Sequence, residues 1–121
     1  MSDDLYERAA AVAERAYAPY SRYLVGAAVL ARDGRVFEGV NVENAAYPLG
    51  ICAERAALAR AVAEGCRPGD LEAIGITASP CGGCRQWLHE FRLERVTFRD
   101  ARGEVVTRAP AELLPEAWEL D

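Results

Sequence analysis

Leu71-Glu72-Ala73-Ile74-Gly75-Ile76-Thr77-Ala78 runs into Ser79-Pro80-Cys81-Gly82-Gly83, and Cys84-Arg85-Gln86-Trp87-Leu88-His89-Glu90-Phe91-Arg92-Leu93 follows. The first piece is short and apolar, as a buried strand should be. The second holds the Pro and Gly of a tight turn, and the third has helical spacing. A strand that turns directly into a helix calls for a parallel return strand. Residues 95–99 supply it.

The same reading extends outward. Residues 95–99 and 104–108 are separated only by the short Ala101-Arg102-Gly103 segment, which permits an antiparallel hairpin and no crossover. Upstream, the runs 24–31 and 35–42 meet at Asp33-Gly34, a strong hairpin signal. Residues 44–50 form a loop, and residues 52–64 are Ala-rich and unbroken up to Gly65, giving a second helix. Residues 3–17 form a first, amphipathic helix with Leu5, Ala9, Val12 and Ala16 on one stripe, broken at Ala18-Pro19. Pro110 opens a last helical piece through Leu114. The strand–helix–strand units at 36–78 and 71–99 are expected to place parallel neighbours side by side. The predicted fold is α/β, three-layer αβα, with a mixed five-stranded sheet in which two antiparallel hairpins flank a parallel centre.

The chain of 121 residues fits one domain, 1–121. Its charge of −5 argues against a long nucleic acid as partner, and no apolar run approaches the ~20 residues of a membrane span. The acidic start, Met1-Ser2-Asp3-Asp4, does not resemble a secretory signal, so the expected location is cytoplasmic. There thiols stay reduced, and the 4 Cys are read as ligands or reactive groups before disulfides. All 14 basic residues are Arg, and the only side-chain amides are Asn41, Asn44 and Gln86.

Cys52-Ala53-Glu54 and Pro80-Cys81-Gly82-Gly83-Cys84 each stand at a predicted helix start. A helix N-terminus favours the thiolate, which is the metal-binding form. Three Cys ligands leave one tetrahedral position open, the catalytic pattern for zinc. Glu54, in the first turn, can lean over the metal without ligating it and move protons. This is the arrangement of the zinc deaminases in their three-Cys variant. Arg55 and Arg85, beside the ligands, either donate to sulfur and offset excess negative charge or are surface arginines. Cys81-x-x-Cys84 alone also fits a redox pair, which leaves Cys52-Ala53-Glu54 unexplained. Cys66, about 20 Å along a helix from Cys52, reads as a spare thiol, and His89 as a packing or surface residue.

The chain resembles the small, homotetrameric, zinc-dependent cytidine deaminases. The matching segments are Pro19-Tyr20-Ser21-Arg22-Tyr23-Leu24-Val25-Gly26-Ala27-Ala28, Asp33-Gly34, Gly39-Val40-Asn41-Val42-Glu43-Asn44-Ala45-Ala46-Tyr47, Cys52-Ala53-Glu54-Arg55-Ala56-Ala57, Ser79-Pro80-Cys81-Gly82-Gly83-Cys84-Arg85-Gln86 and Glu112-Leu113-Leu114-Pro115. The resemblance implies one Zn²⁺ per chain on Cys52, Cys81 and Cys84, with Glu54 as proton shuttle. It implies hydrolytic deamination of cytidine and deoxycytidine to uridine and deoxyuridine in pyrimidine salvage, with metal-activated water attacking C4. It further implies that Asn41 and Glu43 hold the ribose 3′-hydroxyl, that Tyr23 flanks the pyrimidine, and that Ala53 touches substrate. Ala46 and Tyr47 match a segment that reaches a neighbouring subunit's site, Gln86 lies in the supporting shell with Arg55 and Arg85, and Trp118 falls near an aromatic that closes the pocket. Blasticidin deaminases are similar at both metal motifs; the Asn41 and Glu43 pair favours a nucleoside with a free sugar. The family usually carries several more residues where Thr77-Ala78 here leads straight into Ser79.

Overall fold

The computed structural model describes residues 2–120. Helix α1 (Ser2–Ala13) is followed by strands β1 (Gly26–Ala31) and β2 (Val36–Val40), helix α2 (Ala53–Ala63), strand β3 (Leu71–Ile76), helix α3 (Gly82–Glu90), strands β4 (Arg95–Arg99) and β5 (Val105–Arg108), and the short α4 (Pro110–Leu113). Every predicted element forms, with ends that differ by a few residues; α3 begins at Gly82, two residues before the expected Cys84, and stops at Glu90. The first helix stops at Ala13 instead of 17 because Tyr17 pairs elsewhere: its N–H donates to the Asn41 carbonyl at 3.1 Å, and its own carbonyl accepts from Glu43 N–H at 2.8 Å.

The five strands lie in the order β2-β1-β3-β4-β5. The hairpins β1–β2 and β4–β5 are antiparallel, and β3–β4 is parallel, as expected for the 71–99 unit. The expectation for residues 36–78 is corrected: β2 and β3 are not neighbours. β1 lies between them and pairs antiparallel with both, Val29 facing Phe37 on one side and Ile74 on the other. The β1–β2 hairpin leaves the far edge of β1 unpaired, and α2 carries the chain over β1 to fill that edge. The sheet therefore has a single parallel pair.

Alternation along β1 sends Ala27, Val29 and Ala31 to one face and Ala28 and Leu30 to the other. The first set packs with Ala53, Ala57, Leu58 and Ala61 of α2 and Leu88 of α3. The second packs with Leu5 and Ala9 of α1. This is the three-layer arrangement. Small residues set its tightness: a Cβ on Gly26 would stand 2.0 Å from the Ala9 carbonyl oxygen, and one on Gly75 2.7 Å from the Leu5 backbone. The β1–β2 turn uses Gly34 at φ +97°, a conformation that costs glycine little.

Candidate active site

α2 and α3 begin on the same side of the sheet, and both starts are built by cysteines. Cys52 is the N-cap of α2, with extended backbone (φ −74°, ψ 153°) and no hydrogen bond from its side chain to the helix. Cys81 is the N-cap of α3, and its Sγ accepts from the Cys84 N–H at 3.4 Å. Cys84 sits in the first turn of α3, fully buried. The sulfurs of Cys52, Cys81 and Cys84 all lie within 4.8 Å of one another, and all three residues are free cysteines.

Electrostatics of this cluster follow from burial and mutual proximity. Burial pushes the Cys84 thiol far up, and the Glu54 carboxylate and the other two sulfurs push it further. Cys52 is raised by burial, helped by Glu54 and Cys81. At Cys81 burial acts upward as well, but the N–H groups of Cys84 and Gly83 and the neighbouring thiols outweigh it and lower the pKa. Cys84 and Cys52, which burial and neighbouring negative charge keep as thiols, would be relieved by a shared cation. Tetrahedral zinc at about 2.3 Å from each sulfur sets sulfurs about 3.8 Å apart, compatible with this spacing, and a soft sulfur set selects zinc over magnesium or calcium.

Glu54, the second residue of α2, is 4% exposed. Burial raises its carboxyl, partly offset by its own N–H, the Cys84 thiol and Arg55. Arg55 lies beside the sulfurs, with Nη2 4.0 Å from Cys81 Sγ. Its Nε is buried without a partner, and its guanidinium occupies the space a side chain at residue 83 would fill, with Nη2 2.3 Å from a Cβ built on Gly83. Arg85 takes neither of the two expected posts. It donates to the Pro80 carbonyl at 2.8 Å, the Leu113 carbonyl at 3.0 Å and Ser79 Oγ at 3.3 Å. It ties the loop before Cys81 to α4 rather than donating to sulfur.

Asn41 and Glu43, just past β2, line an open depression of about 250 Å³ with Tyr47, Ile51 and Cys52. Both side chains also hold the 20–25 segment. Asn41 Oδ1 accepts from Val25 N–H at 2.8 Å while Nδ2 donates to the Tyr23 carbonyl at 3.0 Å. Glu43 Oε1 accepts from the N–H groups of Tyr20 at 2.9 Å and Ser21 at 3.1 Å, and its Oε2 accepts from Ser21 Oγ. These bonds hold the Glu43 carboxyl below its ordinary value, with the Ser21 hydroxyl as the largest cause. Tyr23 and Tyr47 are largely exposed.

Several expected residues stand apart. The Ala53 side chain is buried in the core, leaving only its backbone for a ligand. Ala46 donates its N–H to Asn44 Oδ1 at 2.9 Å and is not among the residues lining the depression. Gln86 donates to the Trp118 carbonyl at 2.9 Å, and both line a separate groove with Ala59, Val62, Trp87 and Phe91. His89 pairs with Glu119 at 2.7 Å, and Cys66 is buried behind Arg35 at 3.6 Å. Sequence reasoning missed Ser21 as a partner of Glu43 and Ser79 as a partner of Arg85. A signal was available: the chain has only three serines, Ser2, Ser21 and Ser79.

A sheet of this topology with thiols at two facing helix starts and a buried glutamate beside them defines a metal-dependent deaminase. Residues 1–99 match the family model described as the cytidine and deoxycytidylate deaminase zinc-binding region. A cytidine deaminase of Halalkalibacterium halodurans is 43% identical over 94% of this chain and 91% of its own length. One from Sporosarcina psychrophila is 42% identical over 87% of this chain and 82% of its own length. The crystal structure of a cytidine deaminase from Burkholderia pseudomallei superposes with a TM-score of 0.90 at 44% identity, covering 98% of this chain and 99% of that one. The chain belongs to the zinc-binding cytidine and deoxycytidylate deaminase family.

Proposed function

We propose that this chain is a cytidine deaminase that replaces the 4-amino group of cytidine and deoxycytidine by oxygen, releasing ammonia and giving uridine and deoxyuridine for pyrimidine salvage. The observation that carries this reading is the convergence of three thiols with a buried carboxyl beside them, at the edge of a depression lined by Asn41 and Glu43. Cys52, Cys81 and Cys84 hold one zinc. When bound, zinc supplies a Lewis-acidic centre that makes water at its open position acidic near neutral pH.

Glu54 then does the proton work. Its carboxylate takes a proton from the attacking water and delivers it to N3 of the pyrimidine. The water oxygen bonds to C4, a second proton passes through Glu54 to the exocyclic amine, and the C4–N bond breaks with loss of ammonia. The Arg55 guanidinium lies beside Cys81 and offsets the negative charge of three thiolates. Asn41 and Glu43 hold the sugar 3′-hydroxyl, one as donor and the other as acceptor. Tyr23 offers its ring to the pyrimidine, and the Ala53 backbone contributes at the helix start.

The depression of about 250 Å³ lies at or below the small end of ligand pockets. Around it Tyr20, Tyr23, Leu24, Tyr47, Leu49 and Ile51 are exposed. Isolated apolar residues at a surface are ordinary, but a cluster of this kind marks an interface. The occupant we infer is a second copy of the chain, within the homotetramer that the family resemblance implies, so that the segment of Ala46 and Tyr47 completes a neighbour's site. No helix among the described residues is long and apolar enough to cross a membrane. Four free thiols suit a reducing cytoplasm.

The test is ammonia release from cytidine, deoxycytidine and free cytosine, with the assembly measured by sedimentation. Turnover of both nucleosides by a tetramer supports the reading. Turnover of cytosine in preference to both nucleosides would overturn the sugar site, and full activity in a monomer would overturn the shared one.

A further inference from the structure

Ser21 sits at the centre of a bonded chain that the reaction scheme does not use. Its hydroxyl donates to Glu43 Oε2, and its N–H, with that of Tyr20, donates to Oε1. The same hydroxyl accepts from the N–H of Tyr23 at 3.0 Å. Asn41 closes the chain by donating to the Tyr23 carbonyl and accepting from Val25 N–H. The Glu43 carboxylate that lines the depression and the backbone of Tyr23 are therefore held by one serine.

Counting the remaining capacity gives this network a consequence. A carboxylate has about four acceptor sites and no donor when ionised. Two amides occupy Oε1 and the Ser21 hydroxyl takes one site on Oε2, leaving a single outward acceptor. An amide nitrogen has two hydrogens, and Asn41 Nδ2 spends one on Tyr23. One acceptor and one donor remain, the complement of a single hydroxyl group.

We propose that Ser21 is a positioning and specificity-determining residue: it orients Glu43 so that the sugar site requires a hydroxyl that both donates and accepts. This rests on the reading of Asn41 and Glu43 as the sugar site. A ligand lacking that hydrogen leaves the Glu43 acceptor unpaired, and one bearing a negative group in its place meets a fixed carboxylate. Ser21 contacts neither the thiols nor Glu54 among the described bonds, so its influence falls on binding and selection rather than on the proton transfers.

The experiment compares cytidine with 3′-deoxycytidine in wild type, Ser21→Ala, Ser21→Thr and Glu43→Ala. Ser21→Ala should raise KM for cytidine about tenfold, the order expected for loss of one charge-assisted bond. It should leave kcat within about twofold. The ratio of kcat/KM between the two nucleosides should fall by a similar factor, and Ser21→Thr, which keeps the hydroxyl, should restore it. Zinc per chain should be unchanged throughout. If Glu43→Ala abolishes the discrimination while Ser21→Ala preserves it, the role of Ser21 is wrong and the sugar site stands. If Glu43→Ala also preserves it, the sugar-site reading itself fails. A loss of kcat with discrimination intact also overturns the proposal. Ser21 is exposed, so folding of the variants is expected; should Ser21→Ala not fold, Ser21→Cys, a weaker donor of similar size, gives the same readout.

Discussion

Cys52 caps α2 and Cys84 lies in the first turn of α3, and their sulfurs come within 4.8 Å of each other across the two helix starts. The chain reaches this arrangement because α2 and α3 pack on the same face of the sheet. Whatever holds the two starts in register therefore controls the metal site.

Arg85 is one such support. Arg85→Ala removes donors from the carbonyls of Pro80 and Leu113 and from Ser79 Oγ. We expect a loss of about 1–3 kcal/mol in stability, because carbonyls are left without partners. Zinc should also pass faster to a chelator, since the Pro80 carbonyl immediately precedes Cys81. Arg85→Lys should not restore either, as one ammonium cannot reproduce a fork with three acceptors. Urea unfolding and chelator kinetics check this. A variant as stable as wild type that holds zinc equally well would assign Arg85 to the surface.

Gly26 supports the opposite face. A Cβ there meets the backbone of Ala9 and Ala13, at 2.0 Å and 2.8 Å, which no rotamer change relieves. Gly26→Ala should cost about 3 kcal/mol or more, the upper range for overpacking. The measurement is again the urea midpoint, and a change below about 1 kcal/mol would mean that α1 shifts freely on the sheet.

Acid should weaken the fold through exposed carboxylates. The pKa of Asp33 is lowered chiefly by the Arg35 N–H, that of Asp100 by the Glu104 N–H and that of Glu43 by the Ser21 hydroxyl. A folded-state pKa below the unfolded one gives stability that is full above the unfolded value and is lost as pH falls through the folded value. With ordinary values of 3.8 for Asp and 4.5 for Glu, the loss begins near and below those pH values. The thermal midpoint should fall across this window, and Asp100→Asn should flatten part of the slope. A midpoint independent of pH there would show these bonds to be energetically silent.

Much of this was legible from local chemistry. Asp33-Gly34 announced its hairpin, and Cys52-Ala53-Glu54 with Pro80-Cys81-x-x-Cys84 announced the cluster, because caps and turns depend on residues near in sequence. The insertion of β1 between β2 and β3 was not legible, since strand order depends on which edge remains free in three dimensions. Adjacency to Cys84 left Arg85 either on sulfur or at the surface, and its long side chain takes neither place, reaching the Pro80 and Leu113 carbonyls. The double duty of Glu43 was hidden for the same reason: its partners Tyr20 and Ser21 are distant in sequence.

The account turns most directly on Glu54, so the decisive measurement is ammonia release from cytidine by Glu54→Gln with zinc counted in the same sample. The variant should retain about one zinc per chain, because Gln leaves the thiols intact. It should lose about 100- to 10,000-fold in kcat, the range for removing a general acid–base. Deamination at the wild-type rate by a zinc-loaded Glu54→Gln protein would contradict the central role given to this carboxyl.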